Sequence, residues 1–302
     1  MIPAIQTCTD GPTFSRLVFG LWRLADWGYR TDELLAMLHR CLALGVTTMD
    51  HADIYGDYSC EALFGEALAQ APGLRQQMQL VTKCDIKLVS DKHPGHALPH
   101  YDTSKAHIMA SVENSLRRLH TDHIDVLLLH RPDPLMEADE VAEAFAALRD
   151  AGKVLHFGVS NFTPAQYSLL ASRLPFPLVT NQVECSVLNF DVMHDGTLDQ
   201  SQELRIAPMA WSPLGGGRLF SSQDAQAVRV RACLETLGEE LGGATLDQVA
   251  YAWLLKHPAR IIPVLGTGKM NRVEAACDAA ALVLTRQQWF KVWQASKGHN
   301  VP

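Results

Sequence analysis

Eight short apolar runs, rich in β-branched and aromatic residues, recur along the chain with amphipathic helical stretches between them. They are VFGLW (18–22), VTTMD (46–50), QLVTKC (79–84), IDVLLLH (124–130), VLHFGVS (154–160), VTNQVE (179–184), APMAWS (207–212) and IIPVLG (261–266). Several are continuously apolar rather than alternating, as parallel strands buried on both faces must be. Between the first two, residues 31–44 carry Leu34, Leu35, Leu38, Cys41 and Leu42 on one face, with Thr31 as the expected cap and Gly45 as the stop. After Ser104, the residues Ile108, Val112, Leu116 and Leu119 form a second stripe, and Val141, Phe145 and Leu148 a third that ends at Gly152. Further helices are expected over 224–241, 246–256, from Asn271 onward and over 286–296.

Such a series in 302 residues, with no linker or low-complexity break, predicts an α/β fold of the (β/α)8 TIM-barrel type. Residues 1–302 are expected to form one domain, with a small N-terminal hairpin over 3–16 around a DGP turn and an extra C-terminal helix. A doubly wound sheet is the competing architecture. It requires a glycine fingerprint, G-x-G-x-x-G, after the first strand, and the chain has none.

Composition narrows the function. A chain of this size buries about 75% of its unfolded surface, enough for a large core. The net charge is −7 with no basic block, which argues against nucleic acid or an anionic membrane as partner. No apolar run reaches the roughly 18 residues that a membrane helix needs, and the first residues lack the pattern of a signal peptide. Seven cysteines without a Cys-x-x-Cys pair fit reduced thiols in the cytoplasm, with Cys84 and Cys185 as small buried residues.

In a barrel of this kind chemistry sits at the C-terminal ends of the strands. The ends of strands two, three and four are Asp50, Lys83 and His130, and Tyr55 lies in the loop after strand two. Each alone has an ordinary reading: a helix cap, a snorkelling lysine, a rim histidine. Together they bring an acid, an ammonium, an imidazole and a phenol to one rim. Asp50 and Lys83 can pair, which a buried charge requires. A neighbouring ammonium is expected to lower the phenol's usual pKa of about 10. The set suits proton donation from Tyr55 to a developing alkoxide, with His130 orienting the carbonyl oxygen and Asp50 fixing Lys83.

These residues, in the contexts D-x-x-x-x-Y, LVTK and DVLLLHRPD, resemble the aldo-keto reductase superfamily. The resemblance runs nearly end to end, through GKVLHFGVSNF, TNQVE, MAWSPLGGGRL and IPVLGTGK-x-x-R. The segments KCDIKLVSDKHPGHALPHYDTS and HRPDPL are most similar to a bacterial oxidoreductase branch. It implies NADPH as cofactor, bound without a Rossmann domain. Ser160, Asn161 and Gln182 match residues that hold the nicotinamide carboxamide. Trp211 matches the aromatic on which the ring stacks, and Gly20 and Trp22, with Asp50, border it. Leu21 stands where many relatives have threonine, so only a backbone role remains there. Arg272 matches the arginine that grips the adenosine 2′-phosphate.

The remaining cofactor candidates lie in two loops. The glycine-rich stretch 212–219 offers the backbone of Ser212, Leu214, Gly215 and Gly216 to a pyrophosphate, with charge from Arg218. The stretch Gly266, Thr267, Gly268 and Lys269 leads into a helix whose N-terminus attracts anions, although Pro263 and Met270 break the P-loop pattern. Lys269 is either a second cation for the phosphate or a solvated surface lysine.

The resulting expectation is an NADPH-dependent oxidoreductase that reduces a small-molecule aldehyde or ketone to an alcohol. A nicotinamide-binding sensor with little turnover shares the fold, and so does a Schiff-base aldolase built on Lys83. The aldolase leaves Arg272 and Trp211 without a purpose. Substrate choice should depend on 85–103, 186–203 and the C-terminal tail, with Trp22 and Trp27 suggesting an apolar or aromatic substrate. No metal is expected: His93, His96 and His100 lack a ligand spacing. Oligomeric state is not legible.

Overall fold

A computed structural model describes residues 1–302. Eight parallel strands close into a barrel: β1 (Val18–Gly20), β2 (Thr48–Asp50), β3 (Gln79–Cys84), β4 (Ile124–Leu129), β5 (Val154–Ser160), β6 (Leu178–Glu184), β7 (Met209–Trp211) and β8 (Ile262–Leu265). Each strand pairs with the next in sequence, and β8 returns to β1 through Val264 beside Val18 and Leu265 beside Phe19. All eight fall within the expected runs or one residue outside them, so the (β/α)8 expectation holds.

The helices form the outer layer. Thr31–Leu44, Lys105–Arg118, Ala138–Asp150, Ala225–Glu240, Leu246–Leu255, Met270–Ala279 and Arg286–Lys297 occupy the expected stretches. The stripe Ile108, Val112, Leu116 and Leu119 is buried, and the Ser104 hydroxyl accepts from the His107 N–H as an N-cap. Gly45 ends the first of these helices at φ 86°, a left-handed conformation that suits glycine.

One cap differs from expectation. Thr31 is the first helical residue, and Arg30 precedes it as the cap, its N–H donating to the Glu33 carboxylate at 2.9 Å. Three further helices, Cys60–Gln70, Pro164–Ala171 and Thr197–Glu203, were not evident in the sequence. Gly65 sits mid-way along the first of these. A Cβ there would lie 1.9 Å from the Arg118 carbonyl oxygen, so glycine lets two neighbouring helices touch.

Two attachments complete the barrel. The expected hairpin, Ala4–Gln6 with Thr13–Ser15, covers the N-terminal mouth, where Phe14 is buried. Below it, the Arg16 guanidinium donates to the carbonyls of Leu255 and Ile261, and burial lowers its pKa to about 10. At the other attachment, the C-terminal helix stacks Trp289 on Trp253 at 4.7 Å between ring centroids. Each indole N–H of that pair donates to the other residue's carbonyl, at 3.0 and 3.1 Å. All seven cysteines are free thiols, with Cys84 and Cys185 buried. No helix is long and apolar enough to cross a membrane.

Candidate active site

The ladder between β2 and β3 continues past Asp50: the His51 N–H donates to the Val81 carbonyl at 2.8 Å and the Asp53 N–H to that of Lys83 at 3.1 Å. The His51 side chain packs against Phe64 of the outer helix, its ring 4.5 Å away. Asp50 instead meets Lys83 within the barrel.

Lys83 is completely buried. Its ammonium donates to both Asp50 carboxylate oxygens at 2.8 Å, to the His51 carbonyl at 2.7 Å and to the Tyr55 hydroxyl at 3.2 Å. Burial opposes the charge, but Asp50 and Tyr55 outweigh it and hold the lysine pKa above its ordinary value. The Tyr55 phenol behaves otherwise than expected. Burial raises its pKa, and the pull of Lys83 in the opposite direction does not cancel that rise. The phenol is therefore protonated at neutral pH. Because its oxygen accepts from Lys83, its own proton is free to be donated elsewhere.

His130 completes the group. Its ring meets Tyr55 edge-on, with centroids 5.9 Å apart, and its Nδ1 has no hydrogen-bond partner. Burial, reinforced by Lys83 and Arg131, keeps its pKa well below the ordinary range, so the imidazole is neutral. The backbone beyond Tyr55 is strained: Gly56, Asp57 and Tyr58 all have positive φ, at 58°, 50° and 61°. The Tyr58 hydroxyl accepts from the Leu88 N–H at 2.9 Å, tying this turn to loop 85–103.

Across the barrel, the Gln182 amide donates to Asp50 at 2.8 Å. The Ser160 hydroxyl donates to the Gln182 carbonyl at 2.7 Å, and Asn161 donates to that hydroxyl at 2.8 Å. Asn161, at φ 59°, also accepts from the Trp211 indole N–H at 2.9 Å. Ser160, Asn161, Gln182 and Trp211 thus join the Asp50–Lys83–Tyr55 group in one hydrogen-bonded network. The sequence reading missed the Gln182–Asp50 bond, the His51 carbonyl and Arg131.

The two loops are more open. Gly215, Gly216 and Gly217 all take positive φ, so their backbone follows a path that side chains would hinder. Ser212 shares it at φ 50°, and Leu214 is half-buried. Arg218 pairs with Asp224 at 3.0 Å, which leaves less of its charge for a ligand than expected. In the other loop Gly266 and Lys269 are exposed, Thr267 accepts from the Lys269 N–H at 3.1 Å, and Arg272 is exposed without an ion-pair partner.

Gly268 lies against Trp27, so closely that a Cβ would sit 2.6 Å from the indole, and its carbonyl accepts from the Tyr29 hydroxyl. Trp27 therefore supports the loop. Trp22 is 57% exposed, as a surface-lining residue would be. Gly20 has a packing reason for its identity: a Cβ there would meet the Leu265 carbonyl oxygen at 2.7 Å. Leu21 is buried, and its N–H donates to the Asp50 carbonyl at 2.9 Å. In loop 85–103, His93 packs tilted against Tyr58 and stacks on His96, with centroids 4.3 and 5.1 Å away.

Comparison with known proteins gives a consistent outcome. The chain is 53% identical to Oxidoreductase YdhF of Escherichia coli (strain K12) over the whole of both chains. It is 47% identical to a 6-dehydroglucose reductase of Agrobacterium fabrum, covering 97% of this chain and 98% of the relative. The crystal structure of the thermostable aldo-keto reductase Tm1743, solved with the inhibitor epalrestat, superposes with a TM-score of 0.80 at 25% identity. That match covers 98% of this chain and 99% of the other. The model of the aldo/keto reductase family matches residues 16–297, and the chain belongs to that family.

Proposed function

We propose that the protein is an NADPH-dependent carbonyl reductase in which Tyr55 gives the proton that completes an alcohol. The observation that carries this reading is the hydrogen-bond direction at Tyr55. Lys83 donates to the phenol oxygen at 3.2 Å, so the phenolic proton is left for a substrate oxygen. NADPH supplies the hydride when bound.

The alkoxide left by hydride arrival is far more basic than a phenolate, so transfer from Tyr55 runs downhill even though burial raises the phenol's pKa. Lys83 then stabilises the phenolate, and Asp50 with the His51 carbonyl keeps the ammonium in place. The neutral His130 offers a ring N–H to the same substrate oxygen without adding a second charge beside Lys83.

The residues suit the cofactor. Trp211 is a ring platform fixed by Asn161, and the glycine turn at 215–217 leaves room for phosphate. Arg272 near the start of Met270–Ala279 is an unengaged cation for the 2′-phosphate. The likeness to a 6-dehydroglucose reductase favours an oxygenated aldehyde as substrate over an apolar or aromatic one.

The test is NADPH consumption with an activated aldehyde, comparing the intact protein with Tyr55→Phe. Turnover is expected to fall by at least about 10²-fold while NADPH affinity is retained. Tight NADPH binding with no turnover across a broad carbonyl panel would favour the sensor instead.

A further inference from the structure

The residue after His130 is unused by the chemistry above. Arg131 donates its main-chain N–H to Asp85 at 3.1 Å, but its guanidinium lies over the Trp211 ring, 5.6 Å from the centroid. Trp211 is itself held by Asn161, so the surface beneath the guanidinium is fixed.

Other partly buried arginines are engaged within the chain. Arg75 pairs with Asp125 at 2.7 Å, and Arg16 donates to main-chain carbonyls. Arg131 is half-buried, yet its guanidinium has neither a carboxylate nor a carbonyl partner. Its contact with Trp211 and its place directly after His130 put it at the C-terminal end of the barrel strands. A half-buried guanidinium without a partner can take an anion from solution, and its planar fork fits a carboxylate through two parallel hydrogen bonds.

We propose that Arg131 is a specificity residue that selects carbonyl substrates bearing a carboxylate a short distance from the reacting carbonyl. This rests on the carbonyl-reductase reading. The substrate's carboxylate lies on the Arg131 fork, while its carbonyl oxygen faces Tyr55 and His130.

The experiment compares 4-formylbenzoate with its methyl ester, two aldehydes that differ chiefly in charge, at saturating NADPH. The readout is the ratio of their kcat/KM values, in which a general loss of activity cancels. The unchanged enzyme should prefer the carboxylate, and the preference should shrink with added salt. Arg131→Gln should lower the ratio roughly 10- to 100-fold, as expected for a lost charge-assisted bond. Arg131→Lys should restore part of it.

Reduction of the ester with no carboxylate preference, or a ratio unmoved in Arg131→Gln, overturns the inference and leaves the reductase reading standing. Reduction of neither aldehyde overturns both. NADPH Kd, read by quenching of tryptophan fluorescence, gives a further arm. A weakened Kd in Arg131→Gln with an unchanged ratio would overturn the proposal and assign the residue to the cofactor.

Discussion

The inner end of the site and its outer lip are built on opposite plans. At the inner end, Asp50, Lys83, Tyr55 and Gln182 are bonded to one another, with Lys83 and Asp50 essentially removed from water. At the lip, Lys269 and Arg272 are exposed and Arg272 has no ion-pair partner. The inner groups hold their geometry before any ligand arrives, as proton transfer requires. The lip leaves its charge uncommitted, as suits groups that meet phosphate on arrival. Under the proposed mechanism, preorganisation is concentrated where bonds are to be made and broken.

The contrast can be broken most sharply at Lys83. Lys83→Met leaves the Asp50 carboxylate buried without its partner, and should lower stability by roughly 3–5 kcal/mol and abolish reduction. Denaturant unfolding measures the first, NADPH oxidation the second. Adding Asp50→Leu should return much of the stability and none of the activity. A single variant as stable as the wild type would mean that the inner network is not energetically coupled.

Arg272→Ala tests the lip. It should weaken NADPH by about 1.5–3 kcal/mol, leave NADH nearly unaffected and leave the unliganded melting temperature unchanged. Fluorescence titrations with both cofactors decide it. Equal losses would remove the 2′-phosphate assignment.

A third region refines the contrast. Behind the inner network Asp53 is buried with one carboxylate oxygen unpartnered, and burial followed by Glu61 pushes its pKa well above the usual range. Between the ordinary value and the raised one, the folded protein keeps a proton that the unfolded chain has released. Stability from this group therefore falls as pH rises through that window. Asp53→Asn should accordingly raise the melting temperature at pH 8, by an amount equivalent to roughly 1–3 kcal/mol. The gain should vanish near pH 4, and thermal scans across pH follow it. A gain independent of pH would point to packing.

The smallest effect is expected at Arg218, whose exposed pairing with Asp224 already occupies it. Arg218→Ala should cost NADPH affinity less than about 1 kcal/mol. A loss as large as that of Arg272→Ala would show that the pair opens to bind phosphate.

Strand order and the residues at strand ends were legible in the sequence because an apolar run reports its own burial. That located Asp50, Lys83 and His130, and Tyr55 in the loop directly after strand two. What was not legible depends on residues far apart in the chain. Gly65 and Pro164 are residue types that disfavour a helix interior, yet one permits a helix contact and the other is the first residue of its helix. Nothing local announces that Gln182 reaches Asp50, 132 positions away. The His51 contribution is a main-chain carbonyl and leaves no side-chain signature. The direction of the Tyr55 shift was misread for a related reason. The charged neighbour is visible in a motif, whereas the depth of burial belongs to the whole fold.

The packing of Gly268 on Trp27, with Tyr29 bonded to the Gly268 carbonyl, has a temporal consequence. Trp27 and Tyr29 belong to the first strand-to-helix connection, and Gly268 to the last. During synthesis Trp27 and Tyr29 are made early, but the loop that rests on them emerges near the end. A ribosome-bound chain that ends before β8 lacks both this contact and the strand that closes the barrel onto β1. Under the proposed cofactor assignment, NADPH held by this loop would favour the closed form over any open one, so the nucleotide would report completeness.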